Sequence, residues 1–175
     1  MCTPNIQLKD PKIADAAALY ALIDQDRTNL SRWLPWAATT TSTADERIFL
    51  RYCQGQMADK QLWLAVIWVD QQPAGMIDLH EFKDGHADIG YWLGRNFRGQ
   101  GIISHSLAMA ENIGFTHLKC HKLELLAATD NHPSRRVAER NHYHQDGILR
   151  QHIPIQDGYS DAVVYSKLKS EFHPN

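Results

Sequence analysis

The chain is poor in cysteine, and its few cysteines are not spaced as a metal or redox site would require. Its 175 residues contain three of them, Cys2, Cys53 and Cys120. An odd number of thiols, with no CxxC pair and no zinc-binding pattern, argues against a disulfide framework. We therefore expect reduced cysteines that serve as packing residues in a reducing compartment.

Long hydrophobic runs and an excess of charge of either sign are also lacking. Hydrophobic residues make up 43% of the chain, yet no run is long enough to cross a bilayer. The opening segment MCTPNIQLKDPKIADAA has no apolar signal core. The 18 lysines and arginines against 20 acidic residues give a net charge of −2, without a basic block. The sequence therefore favours a cytoplasmic protein whose partners are neither nucleic acid nor membrane.

The hydrophobic pattern that is present changes its period along the chain. No repeat, low-complexity tract or flexible linker interrupts it, which indicates one domain over residues 1–175. The predicted elements are a strand at 5–8, helices at 13–23 and 29–36, a helix capped by Thr43 with Glu46 in a capping box, strands at 61–69, 73–82 and 86–93 in an antiparallel meander, a helix at 102–118, a strand at 122–127, a helix at 133–141 and closing strands. This order predicts the α+β class with one mixed sheet.

The segment YWLGRNFRGQGIISHSL, residues 91–107, carries the first chemical signal. A strand ends there in a glycine-rich turn that leads directly into a helix, so unpaired backbone N–H groups collect at the positive end of that helix. Such a place binds anions, usually phosphate. Gly99 and Gly101 would let a ligand approach the backbone, and Arg98 would add positive charge. The motif is neither a Walker A loop nor GxGxxG, because two isoleucines follow the second glycine.

The segments DIGYWLGRNFRGQGIISHSL and LELLAATDNHPSRRVAERNHY resemble the core of the GNAT acetyltransferases. Together with NLSRWLPW, DGILRQ and DGYSDAVVYSKL, these segments resemble the RimJ/RimL-type ribosomal-protein N-acetyltransferases and occur in the same order along the chain. The resemblance is strongest to the RimL-like ribosomal-protein-serine enzymes. The resemblance implies a GNAT fold, with a mixed, mostly antiparallel central sheet flanked by helices. It also implies acetyl-CoA as cosubstrate and no metal. Ile103 departs from the wider family, where glycine or alanine is common, but bulky residues occur there in the RimJ/RimL branch.

The resemblance implies three segments that contact acetyl-CoA. Backbone amides of residues 98–102 would hold the pyrophosphate, and the strand at 88–93 would border the acetyl group and donate an N–H to the oxyanion. Some of Arg135, Arg136 and Arg140 could reach CoA phosphates, or a solvated helix face explains all three. The implied cofactor-binding residues are Trp92, Leu93, Arg98, Gly99, Gln100, Gly101, Ile102, Asn131, Ser134 and Arg136.

Ser134 is the first candidate to protonate the departing thiolate, because it matches the family's serine beside the thioester, and Tyr143 is the alternative. Ser134 could instead cap the backbone of its helix, and Tyr143 could be a core aromatic residue. A thiol with a pKa of about 8.5 leaves readily, so loss of the acid should slow the reaction rather than abolish it.

The base that removes the proton from the amine is not evident in the sequence. Alignment with the resembled enzymes places Ile153 where they carry a glutamate, and isoleucine cannot accept a proton. His152 is adjacent, and a histidine titrates near pH 6.5, but neighbours on a strand point to opposite faces. A surface position for His152 stays an alternative. Asp161 and Glu81 are the other candidates.

The segment NLSRWLPWA has two interpretations. Asn29, Trp33 and Trp36 would border the acceptor amine, as the resemblance implies, or the two tryptophans would belong to the core. On one short helix, tryptophans three residues apart would share a side.

The sequence therefore predicts an acetyl-CoA-dependent N-acetyltransferase in which a neutral amine attacks the thioester directly. The expected acceptor is the N-terminal α-amine of a ribosomal protein. Roughly a tenth of such amines are neutral at pH 7, against fewer than about one in a thousand lysine side chains. A small-molecule amine as acceptor, and an acetyl-CoA-binding module with little turnover, are the alternatives. A homodimer is a further open alternative.

Overall fold

One seven-stranded sheet organises the protein in the computed structural model, which describes residues 4–173. The strand order is β1-β2-β3-β4-β5-β7-β6. All neighbours are antiparallel except β4 and β5, which are parallel. The strands are β1 (Ile6–Lys9), β2 (Trp63–Val69), β3 (Gln72–Lys83), β4 (His86–Leu93), β5 (Lys122–Ala128), β6 (His144–Ile155) and β7 (Gly158–Leu168). The predicted α+β class with a mixed, mostly antiparallel sheet is confirmed.

Helices cover both faces of the sheet. They are α1 (Ala16–Gln25), α2 (Arg27–Trp33), α3 (Trp36–Thr39), α4 (Thr43–Ala58), α5 (Ile102–Asn112), which a π-turn extends over Ile113–His117, and α6 (His132–Arg140). Single 3₁₀ turns lie at Ile13–Asp15, Arg95–Phe97 and Lys169–Glu171. No helix in residues 4–173 is long and apolar enough to cross a membrane.

The two faces of the sheet carry separate cores, because alternate strand residues point to opposite sides. On one face, Ile77, Leu79 and Leu123 pack with Leu107 and Phe115 beneath α5 and α6; we call it the α5–α6 face. On the other, Val66, Met76 and Trp92 pack with α1 to α4 through residues such as Leu19, Ile23 and Leu50; we call it the α1–α4 face.

The cysteines that the structure describes are buried. Cys53 and Cys120 are both free thiols, and burial raises the pKa of Cys53 to about 12. Both are packing residues, as expected. Cys2 lies outside the described residues.

Two local predictions in the first third of the chain were wrong. The cap of α4 is Ser42 rather than Thr43, and its Oγ accepts from the backbone N–H of Asp45 at 3.2 Å. Asp45 is thus the residue three positions after the cap, and Glu46 turns inward with 2% exposure. The predicted helix at 29–36 is two helices, because Pro35 cannot continue the hydrogen-bond ladder of α2. Trp33 and Trp36 therefore lie on different helices.

A fork between β4 and β5 is the main irregularity of the sheet. The two strands pair only where His86–Asp88 faces Lys122–Glu124, although β4 continues to Leu93 and β5 to Ala128. Beyond Asp88 the strands diverge. Within the part of the chain that is described, no strand pairs with this edge of residues 89–93, so backbone groups are available to a ligand in the fork.

Candidate active site

The glycine-rich loop after β4 is built to expose its backbone. Gly99 and Gly101 both have φ of +75°, a conformation that L side chains rarely adopt. A Cβ atom at either position would meet no atom within 4 Å, so the space beside the loop is open. Among residues 4–173, no group accepts a hydrogen bond from the backbone N–H of Gly99, Gln100 or Gly101. The first amides of α5 follow directly, and together they fit a pyrophosphate.

The side chains of this loop are used to hold it in place. Arg98 donates from Nε to the carbonyl of Leu93 at 3.1 Å, and its Nη2 forms an ion pair with Asp26, whose side chain is 4% exposed. Gln100 donates from Nε2 to the carbonyl of Asn96 at 2.9 Å. That Arg98 adds charge to the phosphate site stays a prediction: its side chain is 41% exposed, although its guanidinium already faces a buried carboxylate.

Ser134 and Asn131 lie at the start of α6, across the fork from β4. Asn131 is the helix cap, since its Oδ1 accepts from the backbone N–H of Ser134 at 3.3 Å. The hydroxyl of Ser134 does not cap the helix. It lies 2.9 Å from the hydroxyl of Tyr91, within hydrogen-bond distance. The alternative role of Ser134 as a cap is therefore taken by Asn131.

Tyr91 is a site residue that the sequence did not single out. It lies on the diverging part of β4 and, with Ile89 and Leu93, belongs to the α5–α6 face. Burial raises the pKa of Tyr91 to about 12, with the hydrogen bond to Ser134 acting in the opposite direction. The phenol therefore stays protonated and can donate. The sequence did contain a signal for Tyr91, because it is the one residue with a hydroxyl group in the segment 88–93 that was predicted to border the acetyl group.

Tyr143 is buried beside the same region, with 6% exposure. Its hydroxyl makes no hydrogen bond of standard geometry among residues 4–173, although it lies close to the Glu111 carboxylate. Burial, followed by the charge of Glu111, raises the pKa of Tyr143 well above its usual value. Glu111 is itself paired with Lys167 at 2.8 Å, and the Lys167 ammonium lies 4.7 Å from the centre of the Tyr143 ring. A buried hydroxyl without a partner fits a ligand atom as its partner.

The three arginines of α6 differ in their surroundings. Arg135 donates to Tyr165 at 3.2 Å and to the carbonyl of Thr129 at 3.0 Å, so its guanidinium is used inside the fold. Arg136 and Arg140 are exposed. Of these two, Arg136 is the one that the resemblance implies as a phosphate contact.

The predicted acceptor segment lies on the α1–α4 face. Asn29 donates from Nδ2 to Asp26 at 3.0 Å. Trp36 stacks edge-on against Trp92, with ring centres 5.9 Å apart, and is 39% exposed. Arg32 lies over the ring of Trp33 at 4.6 Å. Asn29 therefore binds the same carboxylate, Asp26, that binds Arg98. Trp36 packs against Trp92 and leaves part of its ring exposed.

A bulge in β6 decides where His152 lies. Leu149 pairs with Ala162 and Ile153 with Ser160, so residues 150–152 stand opposite Asp161 alone. Gln151 takes a φ of +48°, and its N–H donates to Asp161 Oδ1 at 2.8 Å. Asp161 thus holds the bulge. The bulge brings His152 to a cavity of about 540 Å³ that also holds Glu81, Lys83, Asp84, His86, Asp88 and Glu124.

Next to this cavity, three polar side chains cross from β3 to β4. His80 Nδ1 lies 2.6 Å from Asp78 Oδ1, and His80 pairs in register with Asp88. The hydrogen bond to Asp78 is the main cause that raises the pKa of His80, and burial raises the pKa of Asp88. Lys122 neutralises Glu124 at 2.6 Å. Sequence reasoning missed this group, although alternating polar residues in MIDLHEF and HADIG were a signal.

No group of three or more histidine, cysteine or acidic side chains in the described range is arranged to hold a metal ion. The features that fit a ligand are the open fork, the free loop amides and the unpartnered Tyr143 hydroxyl. Together they suit an extended molecule with a pyrophosphate at one end and a thioester at the other.

Comparisons with known proteins agree with this geometry. A family model described as Acetyltransferase (GNAT) domain matches residues 5–144, which include the fork, the loop and α6. The Bacillus subtilis (strain 168) protein YdaF, named as a ribosomal N-acetyltransferase, is 32% identical over 171 residues, covering 96% of this chain and 92% of YdaF.

Two solved structures share the fold. RimL, a ribosomal L7/L12 alpha-N-protein acetyltransferase in complex with coenzyme A, has a TM-score of 0.90 at 24% identity, covering 95% of this chain and 96% of RimL. The microcin C7 self immunity acetyltransferase MccE, in complex with acetyl-CoA and AMP, has a TM-score of 0.88 at 24% identity, covering 93% of this chain and 92% of MccE. At these identities the likeness shows the fold alone.

Proposed function

Because the chain belongs to the GNAT acetyltransferase family and is an N-acetyltransferase that uses acetyl-CoA, we propose that it acetylates the N-terminal α-amine of a protein, and that this protein is ribosomal. The name of YdaF, and the L7/L12 acceptor named for RimL, support the ribosomal acceptor. The absence of a carboxylate at Ile153 supports an α-amine over a lysine.

The fork carries the proposal. Its unpaired β4 edge offers a backbone N–H to the oxygen that gains charge when the thioester carbonyl is attacked. The amides of residues 99–101, with the N-terminus of α5, would bind the pyrophosphate. Trp92 and Leu93 continue β4 toward that loop, and Ile102, 1% exposed, anchors the first turn of α5 in the core.

Protonation of the sulfur is assigned to Ser134. Its hydroxyl faces the fork and lies 2.9 Å from the hydroxyl of Tyr91, which stays protonated. As negative charge develops on the sulfur, Ser134 would donate its proton and Tyr91 would stabilise the serine oxygen. Tyr143 is the alternative donor, because its buried hydroxyl has no partner in the structure as described.

The acceptor chemistry follows from protonation. An α-amine has a pKa of about 7.7–8.0 and a lysine of about 10.4. At pH 7 the lysine therefore costs about 3 kcal/mol more to deprotonate. An enzyme with Ile153 where the resembled enzymes carry a glutamate should discriminate strongly in favour of the α-amine.

The test is acetyl transfer from labelled acetyl-CoA to two matched peptides, one with a free N-terminus and no lysine, the other N-terminally blocked with one lysine. We expect modification of the first and little of the second at pH 7. Ribosomal proteins, as an extract, would then be screened by mass spectrometry for an acetylated N-terminus. Preference for the lysine peptide, or for small amines over every N-terminus, would contradict the proposal.

A further inference from the structure

We propose that His80, oriented by Asp78, is the group that takes the proton from the acceptor ammonium. This inference rests on the proposed function, because it supplies the base that the proposed reaction otherwise lacks. It concerns the α1–α4 face of the fork, opposite the hydroxyl groups assigned to the sulfur.

Strand register places the pair beside the fork. Asp78 pairs with Gly90 and His80 with Asp88, and Asp88 is the last β4 residue that pairs with β5. These positions alternate with Ile77, Leu79 and Ile89 of the α5–α6 core, so they lie on the α1–α4 face. The acceptor segment with Trp36 packs on the same face.

Gly90 makes room for the pair. A Cβ atom at Gly90 would lie 2.7 Å from Asp78 Oδ2, closer than a Cβ atom approaches a neighbouring atom in real proteins. The backbone of Gly90 does not need glycine for its φ, because no positive value occurs there. The glycine is therefore explained by the carboxylate that rests on it, which holds Asp78 against β4 at the start of the fork.

The hydrogen bond fixes which nitrogen of His80 is free. Asp78 Oδ1 lies 2.6 Å from His80 Nδ1, and an ionised carboxylate can only accept, so Nδ1 carries the hydrogen. Nε2 of the neutral ring then keeps its lone pair. The His80 side chain is 40% exposed, so a substrate can reach it. A base held by a second, orienting group is the arrangement that general-base catalysis uses.

The proton balance is complete without any further reactant. Two protons leave the acceptor nitrogen as the N–C bond forms and the C–S bond breaks. One passes from the ammonium to Nε2 of His80 and from there to solvent. The other replaces the proton that Ser134 gives to the sulfur, so the thiol leaves neutral and the serine hydroxyl is restored. His80 and Ser134 act on opposite faces of the fork, so one proton leaves while the other is delivered.

His152 and His144 lack this arrangement. His152 is exposed and has no hydrogen-bond partner among residues 4–173. His144 also contacts an aspartate, Asp146, at 2.9 Å, but its side chain is 73% exposed, and Asp146 is shared with Lys122 at 3.0 Å. His144 is thus a matched control, a histidine paired with aspartate away from the fork.

Surrounding charges set the pH at which His80 can act. Acidic neighbours raise its pKa, so the ring becomes neutral only above the usual value for histidine. Activity should therefore rise as the pH rises through the raised pKa of His80 and approaches the pKa of the α-amine. The other titratable groups around His80 and Asp78 are Glu81 on β3, Asp88 on β4, Glu124 with Lys122 on β5, His152 on β6 and Cys53 on α4.

The experiment compares the full-length His80→Gln, Asp78→Asn and His144→Gln variants on the free-N-terminus peptide. For His80→Gln we expect kcat to fall about 100-fold at pH 7, within the range of general-base effects, with the Kd for acetyl-CoA unchanged by calorimetry. Asp78→Asn should move the rising limb of kcat to lower pH, because it removes the main cause of the raised pKa. His144→Gln should stay within about twofold of wild type.

Two further results separate the possible failures. An NMR titration of the histidine rings, with the His80 signal identified by its loss in His80→Gln, should show a raised midpoint that drops in Asp78→Asn. If wild type acetylates the α-amine but His80→Gln keeps the wild-type kcat and pH profile, His80 is not the base and the proposed function stands. If wild type acetylates no α-amine, the proposed function fails, and this inference with it.

Discussion

The glycine-rich loop and the polar row of Asp78, His80 and Asp88 face the same fork but are built in different ways. In the loop, backbone amides form the site, and two glycines at φ of +75° expose them. In the polar row, side chains from neighbouring strands form the site, and strand register aligns them. A backbone site depends on conformation at a few consecutive residues, whereas a side-chain site depends on pairing across the sheet.

The largest expected effect breaks the backbone site. Gly101→Val should raise the Kd for acetyl-CoA by about 100-fold or more, because a branched side chain disfavours the positive φ and fills the space beside the amides. Gly55→Val is the matched control, since a Cβ atom at Gly55 also meets nothing within 4 Å but lies on α4. Calorimetry that finds wild-type affinity in Gly101→Val would remove the loop from the site.

A smaller effect is expected at the hydroxyl pair. Ser134→Ala should lower kcat about 10- to 50-fold and leave the Kd for acetyl-CoA unchanged, because the proton is needed only as charge develops on sulfur. Asn131→Ala is the structural counterpart and should cost about 1 kcal/mol of unfolding free energy through loss of the cap. Unchanged kcat in Ser134→Ala would favour Tyr143 as donor, which Tyr143→Phe would then test.

The ion pair between Arg98 and Asp26 gives the sharpest distinction between backbone and side-chain contributions. Arg98→Ala should weaken acetyl-CoA binding by about 1–2 kcal/mol, and Asp26→Asn should weaken it similarly, because either change releases the loop. If Arg98 instead bound phosphate directly, Asp26→Asn would free its charge and strengthen binding. Paired calorimetric titrations decide between the two outcomes.

The smallest effect is expected from an exposed charge. Arg136→Ala should raise the Kd for acetyl-CoA about two- to fivefold at low salt and less at physiological salt, because an exposed guanidinium is screened. Arg140→Ala, one turn further along α6, serves as the control and should have no effect. A loss in Arg136→Ala as large as in Gly101→Val would show that side-chain charge dominates the nucleotide side.

The sequence predicted the backbone site of the loop but not the side-chain site of the polar row. The loop could be read from consecutive residues, because glycine at positive φ and the strand-to-helix change are local features. The sheet class and most element positions followed from periodicity. The fork did not, since where β4 and β5 separate depends on pairing between residues far apart in the chain.

The base illustrates why the remainder was missed. The parity argument against His152 assumed a regular strand, and the bulge at residues 150–152 breaks that assumption. His80 and Asp78 become a pair next to the fork only through the register of β3 against β4. The position of the Arg98 side chain likewise depends on Asp26, a residue far away in the sequence.

The same ion pair has a thermodynamic consequence. Asp26 lies where α1 meets α2 and also holds Asn29 of the acceptor segment, while Arg98 holds the end of β4. If acetyl-CoA binding orders the loop, part of that free energy would be transmitted through Asp26 to the helix pair beside the acceptor. Linkage requires reciprocity, so the acceptor must change the affinity for acetyl-CoA by the same factor as acetyl-CoA changes the affinity for the acceptor. Each substrate would then be an effector of the other, through one buried carboxylate.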